Sequence, residues 1–124
     1  MTEKNKKRVD LTNYISEIIK NDFEYYKEVS NRYKFNIGLI SIESENKINL
    51  TKLIRSSDKL IEIKYEDKYF YFIFALFVEE NSLYQVVKKI ESEYSDIQIY
   101  FELLKKDTRI HIKNFIDSLY FNDL

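Results

Sequence analysis

The sequence predicts an α/β domain of the mixed α+β kind, one sheet with helices packed on it, and three observations predict it. Apolar residues recur at three- and four-residue spacing in some stretches and at every second residue in others, so helices and strands interleave along the chain. One glycine, Gly38, and no proline interrupt 124 residues, which favours long regular elements joined by short polar connections. Hydrophobic residues make up 44% of the chain, enough for a packed core without disulfides or metal.

The first element is a helix from Leu11 to Tyr33. Leu11, Tyr14, Ile15, Ile18, Ile19, Tyr25, Tyr26, Val29 and Tyr33 form its apolar stripe, and Asp10 or Thr12 is the expected cap. Before it, Met1 to Arg8 carries Lys4, Lys6, Lys7 and Arg8 against Glu3 alone, so residues 1–10 read as a disordered basic tail and 11–124 as a single domain. Phe35, Ile37, Leu39, Ile40 and Ile42 mark a strand with one apolar and one mixed face. Glu43 to Asn49 is loop-like, and Leu50, Leu53 and Ile54 suggest a short helix ended by Arg55-Ser56-Ser57-Asp58.

Ile61, Ile63 and Tyr65 alternate with charged residues, as in a half-exposed strand, and Glu66-Asp67-Lys68 makes a tight connection. Tyr69 to Val78 then runs apolar, the pattern of a strand covered on both faces, so the two strands form a hairpin. Leu83, Val86, Val87, Ile90 and Tyr94 share one face of a helix capped by Asn81 or Ser82. Ile97, Ile99, Phe101 and Leu103 alternate along a fourth strand, and Ile112, Phe115, Ile116, Leu119 and Tyr120 mark a last helix after Asp107 or Thr108. The order is α-β-α-β-β-α-β-α, and its centre is ferredoxin-like.

Composition excludes several functions. Without cysteine there are no disulfides, thiolate metal sites or cysteine nucleophiles, and a reducing cytoplasm is the expected location. Twenty basic and twenty-one acidic residues give a net charge of -1, against the basic excess expected of a nucleic-acid binder. Met1 to Asp10 is polar and no apolar leader follows. The run from Tyr69 to Val78 is short of the roughly 20 residues that a membrane helix takes, so no membrane association is expected.

The lone histidine, His111, supports neither a triad nor a zinc site, and no glycine-rich phosphate loop exists. Gly38, inside a strand, reads as a point of close approach. Glu43 with Glu45, and Glu66 with Asp67, are carboxylate pairs that could face Mg²⁺, but acids in turns are ordinarily solvated turn formers. Tyr69, Phe70, Tyr71, Phe72, Phe74 and Phe77 would make a base-stacking platform only on an exposed face ringed by Lys and Arg. The run carries no basic residue, so they read as core, with tyrosine hydroxyls reaching the rim.

A long helix, the strand Phe35 to Glu43, the stretch Leu53-Ile54-Arg55-Ser56-Ser57-Asp58, a hairpin, a helix and a strand follow one another in this order. Over roughly Leu11 to Phe121 this layout resembles the GGDEF domain, the diguanylate cyclase fold of bacterial second-messenger signalling. The Leu-x-Arg-x-x-Asp stretch is similar to the family's own. The resemblance implies a nucleotide-cyclase-like sheet and, in an active member, a metal-binding aspartate at the end of the first strand and a Gly-Gly-Asp/Glu-Glu-Phe hairpin. Here Ser41 and Glu43 match the former, and Lys64-Tyr65-Glu66-Asp67-Lys68 the latter. Both glycines are gone, with lysine and tyrosine side chains where the family admits GTP.

The resemblance therefore implies lost catalysis and no cofactor. It also implies that Arg55 and Asp58 match the family's inhibitory site for cyclic di-GMP. The expected function is a non-catalytic GGDEF-like regulatory or protein-interaction module, self-associating or bound to a protein partner. Two alternatives stand beside it: a cyclic di-GMP receptor acting through Arg55 and Asp58, or a small ferredoxin-like inhibitor or adaptor unrelated to cyclases.

Overall fold

A computed structural model describes residues 3–34, 36–76, 78–104 and 116. The elements are α1 (Glu3–Tyr33), β1 (Ile37–Ser44), β2 (Lys59–Tyr65), β3 (Lys68–Leu76), α2 (Glu80–Glu93) and β4 (Ile97–Leu104). The strands form one antiparallel sheet in the order β2-β3-β1-β4. Because β3 is antiparallel to both its neighbours, β1 and β2 run parallel with β3 between them. By the same argument β3 and β4 run parallel with β1 between them and α2 as their connection. These two interlocked split units give the α+β class that the alternating patterns predict.

Each face of the sheet carries its own core. On one, Ile15, Ile19 and Phe23 of α1 pack on Leu39, Phe70, Phe72, Phe74 and Leu104, joined by Ile116. On the other, Leu83, Val87 and Ile90 of α2, together with Leu50, pack on Ile40, Ile42, Tyr71, Ile73 and Ala75. The central strand β1 is therefore buried almost throughout on both faces, not only on the one the alternation suggested.

Several expectations need correction. The helix α1 begins at Glu3, so residues 3–10, read as a disordered tail, are helical. No breaker separates them from the apolar stripe, and extending a docked helix by good helix formers costs little once its nucleus exists. The apolar stripe is also not a single buried face, because Tyr14, Ile18, Tyr25 and Tyr33 are exposed. Residues 50–54 form turns instead of a short helix, with Leu53 N–H bonded to the Leu50 carbonyl at 2.9 Å.

The start of α2 differs too. Glu79, not Asn81 or Ser82, stands at its N-cap position, without a side-chain cap bond. Val78, buried just before, anchors the chain entry and starts the helix early. The predicted last helix lies outside the described residues, apart from Ile116, which is helical and buried.

Gly38 works by close approach, as its strand position suggested. A Cβ there would lie 2.6 Å from Leu83 Cδ1 and 2.9 Å from Val78 Cγ1, so the missing atom lets these two side chains pack directly on the strand. Among the described residues, no helix is long and apolar enough to cross a membrane.

Candidate functional site

Sequence reasoning singled out two places, and β2 separates them. Arg55 and Asp58 lie just before the strand, and the hairpin turn lies just after it, about 20 Å away for seven residues of strand.

At the hairpin, Tyr65 pairs with Lys68 and only Glu66 and Asp67 form the turn. Glu66 has φ 54°, the left-handed region that glycine fills without strain, so a side chain stands here in a backbone conformation suited to glycine. Every flanking side chain has a neighbour. Lys64 Nζ lies 5.6 Å from the centre of the Tyr69 ring. The Tyr65 ring lies 4.9 Å from that of Tyr14 on α1, and burial pushes its hydroxyl pKa up. Lys68 donates to Glu43 Oε1 at 2.7 Å, and this bond holds the lysine pKa above its ordinary value.

Beside this ion pair an open cavity of about 390 Å³ lies at the ends of β1, β3 and β4, lined by Glu43, Glu45, Asn46, Lys68, Asp96 and Gln98 among others. The acids do not converge on one point. Among the described residues, no group of three His, Cys, Asp or Glu side chains could hold a metal ion. Glu43 faces a lysine ammonium, so a cation there would have to displace Lys68.

At the other end of β2, the structure brings Arg55 and Asp58 together and turns them on each other. The Asp58 carboxylate accepts from Arg55 Nη2 at 3.0 Å, from Nε at 3.4 Å and from the Arg55 backbone N–H at 2.9 Å. Asp58 N–H in turn donates to the Arg55 carbonyl at 3.0 Å. Arg55 Nη2 also donates to the carbonyl of Leu76, at the end of β3. The Asp58 side chain is only 6% exposed, against 53% for Arg55. This cluster is a clasp that closes the turn 55–58 and ties it to the sheet. A guanine would have to pull the Asp58 carboxylate away from three N–H donors to bind it.

The aromatic run is core, not a stacking platform. Phe70, Tyr71, Phe72 and Phe74 are buried, while Phe77 lies outside the described residues. Tyr71 is buried to its hydroxyl, which accepts from Ile48 N–H at 2.9 Å; burial is the main cause that raises its pKa.

Sequence reasoning missed the partners that neutralise the candidate residues. Leu76 lies 21 positions from Arg55 and Lys68 lies 25 from Glu43, so only strand register joins them. It also missed the apolar surplus along α1, whose signal was present as a stripe wider than one helix face needs.

No family model, curated protein or solved structure matches this chain.

Proposed function

We propose that this chain is a non-catalytic α+β domain that acts through protein contact. The observation that carries this reading is the Lys68–Glu43 ion pair at the foot of the hairpin. It sets an ammonium against Glu43, the acid among the two positions, Ser41 and Glu43, that the resemblance aligns with a cyclase metal ligand, while Lys64 and Tyr65 fill the flanks of the hairpin. The surface elsewhere supports contact: Tyr14, Ile18, Tyr25 and Tyr33 stand exposed along one helix.

The resemblance to GGDEF domains suggests a regulator in bacterial signalling that kept a scaffold and lost the chemistry. An inhibitor or adaptor without cyclase ancestry would use the same surface in the same way. The closed Arg55–Asp58 clasp argues against a cyclic di-GMP receptor.

The test is incubation of the purified chain with GTP and Mg²⁺, followed by chromatography of the nucleotides and calorimetry with cyclic di-GMP. Unchanged GTP and no binding heat are expected. Formation of cyclic di-GMP, or a binding heat that Arg55→Ala abolishes, would overturn the reading.

A further inference from the structure

Among the described residues, the strand β2 ends the sheet, with β3 as its one neighbour. In a hairpin closed by a two-residue turn, the closing pair Tyr65–Lys68 exchanges both backbone bonds, and every second residue does the same. Lys59, Ile61, Ile63 and Tyr65 therefore point their backbone groups at β3. Leu60, Glu62 and Lys64 point theirs to the open side. An open edge pairs readily with another strand, and lysines on an edge ordinarily discourage this.

Here the charges select one pairing. When β2 meets β2 of a second copy about a two-fold axis through Ile63, Glu62 stands opposite Lys64 of the second copy, and Lys64 opposite its Glu62. Both are positions with free backbone groups, so the ladder and the charges agree on the register. On the other side of the strand, Ile63 meets Ile63 and Ile61 meets Tyr65. A shift of two residues either way sets Glu62 against Glu62, or Lys64 against Lys64.

Glu62 and Lys64 are held loosely within one copy. Glu62 lies 3.9 Å from Lys47, and Lys64 rests over the Tyr69 ring. The flank of α1 continues the surface, because Tyr14 lies against Tyr65, and Ile18, one turn further along the helix, is exposed beside it. The opposite edge lacks this code: β4 carries Glu102 as its one charged residue.

We infer that the partner is a second copy of this chain, joined through antiparallel pairing of β2 with β2 into one eight-stranded sheet with reciprocal Glu62–Lys64 pairs. The inference rests on the protein-contact reading and names its partner. An isologous two-fold contact of this kind closes on itself and does not propagate.

Sedimentation equilibrium of the full chain, across micromolar concentrations, tests it through charge exchange. The unaltered chain is expected to dimerise, more weakly at high salt. Glu62→Lys alone and Lys64→Glu alone each set like charges opposite one another twice, so each is expected to weaken the dimer at least about tenfold. The double exchange E62K/K64E restores the opposite pairs and is expected to restore the dimer. Both side chains are exposed, and circular dichroism is expected to stay unchanged in all three variants. A monomer at every concentration, a dimer indifferent to the single exchanges, or a double exchange that rescues nothing would overturn the proposal. None of these outcomes touches the non-catalytic reading, which only nucleotide turnover or binding would sink.

Discussion

The two faces of the sheet are packed to different standards. Under α2 the core is sealed. Gly38 lets Leu83 approach the strand, Tyr71 accepts from Ile48 N–H, and Tyr94 donates to the Asn49 carbonyl at 2.7 Å, so polar pins fix the segment before β2. Under α1 the packing is looser at its margins. Thr12 and Ser16 bury hydroxyl oxygens that find no partner among the described residues, and the helix shows Tyr14, which lies against Tyr65 of β2, together with Ile18 and Tyr25, the last 61% exposed. One face is specified for folding, and the other retains apolar surface that folding does not use. The difference teaches where to seek function: in surplus apolar surface beside an edge left open among the described residues, not at Glu43 or Asp58, whose charges Lys68 and Arg55 already match.

The comparison breaks most easily at its tightest point. Gly38→Ala is expected to cost about 1–3 kcal/mol, because the added methyl overlaps Leu83 and Val78. The cost should shrink in a Leu83→Ala background, a coupling that urea denaturation of the four chains of the cycle would reveal. Equal costs in both backgrounds would mean that α2 does not lean on the glycine.

Tyr71→Phe is expected to cost about 1–2 kcal/mol by the same measurement, since it leaves Ile48 N–H without its acceptor. The same tyrosine sets a pH dependence. Its folded pKa is raised above the ordinary 10.0 chiefly by burial, and that of Lys68 above 10.5 chiefly by its bond to Glu43. Groups raised in the folded state contribute fully below their unfolded pKa and lose that contribution as pH rises through the folded one. Thermal melts are therefore expected to show stability falling above about pH 10, and less steeply in Tyr71→Phe.

On the α1 side the expected effects are smaller and reversed. Ser16→Ala removes a buried, unpartnered hydroxyl and improves helix propensity, so the melting midpoint should hold or rise, by up to about 1 kcal/mol in free energy. Smallest of all, Tyr25→Ser should change stability by no more than about 0.5 kcal/mol, because its ring is largely in water. A large loss there would mean that the aromatic flank of α1 belongs to the fold.

Much of this fold was legible because its periods are strong. The unbroken run in β3, the alternation in β2 and the stripe of α2 each announced an element that the structure contains. The failures have a common cause in tertiary context. Leu50, Leu53 and Ile54 have helical spacing, yet the hydroxyls of Tyr71 and Tyr94 hold the backbone just before them in an irregular path. The stripe of α1 gave its apolar residues but not which flank the sheet would cover. At the candidate sites the residue types were readable from spacing. Their meaning was not, because the Leu76 carbonyl and the Lys68 ammonium reach Arg55 and Glu43 only through strand register.

The most direct test follows backbone amide resonances of the chain in two titrations, one with GTP, Mg²⁺ and cyclic di-GMP, the other against its own concentration. The nucleotides should leave residues 55–58 and 64–68 unmoved, while rising concentration shifts Tyr14, Ile18 and the strand from Leu60 to Tyr65. Saturable nucleotide shifts at the clasp or the hairpin, with no response to concentration, would contradict the account.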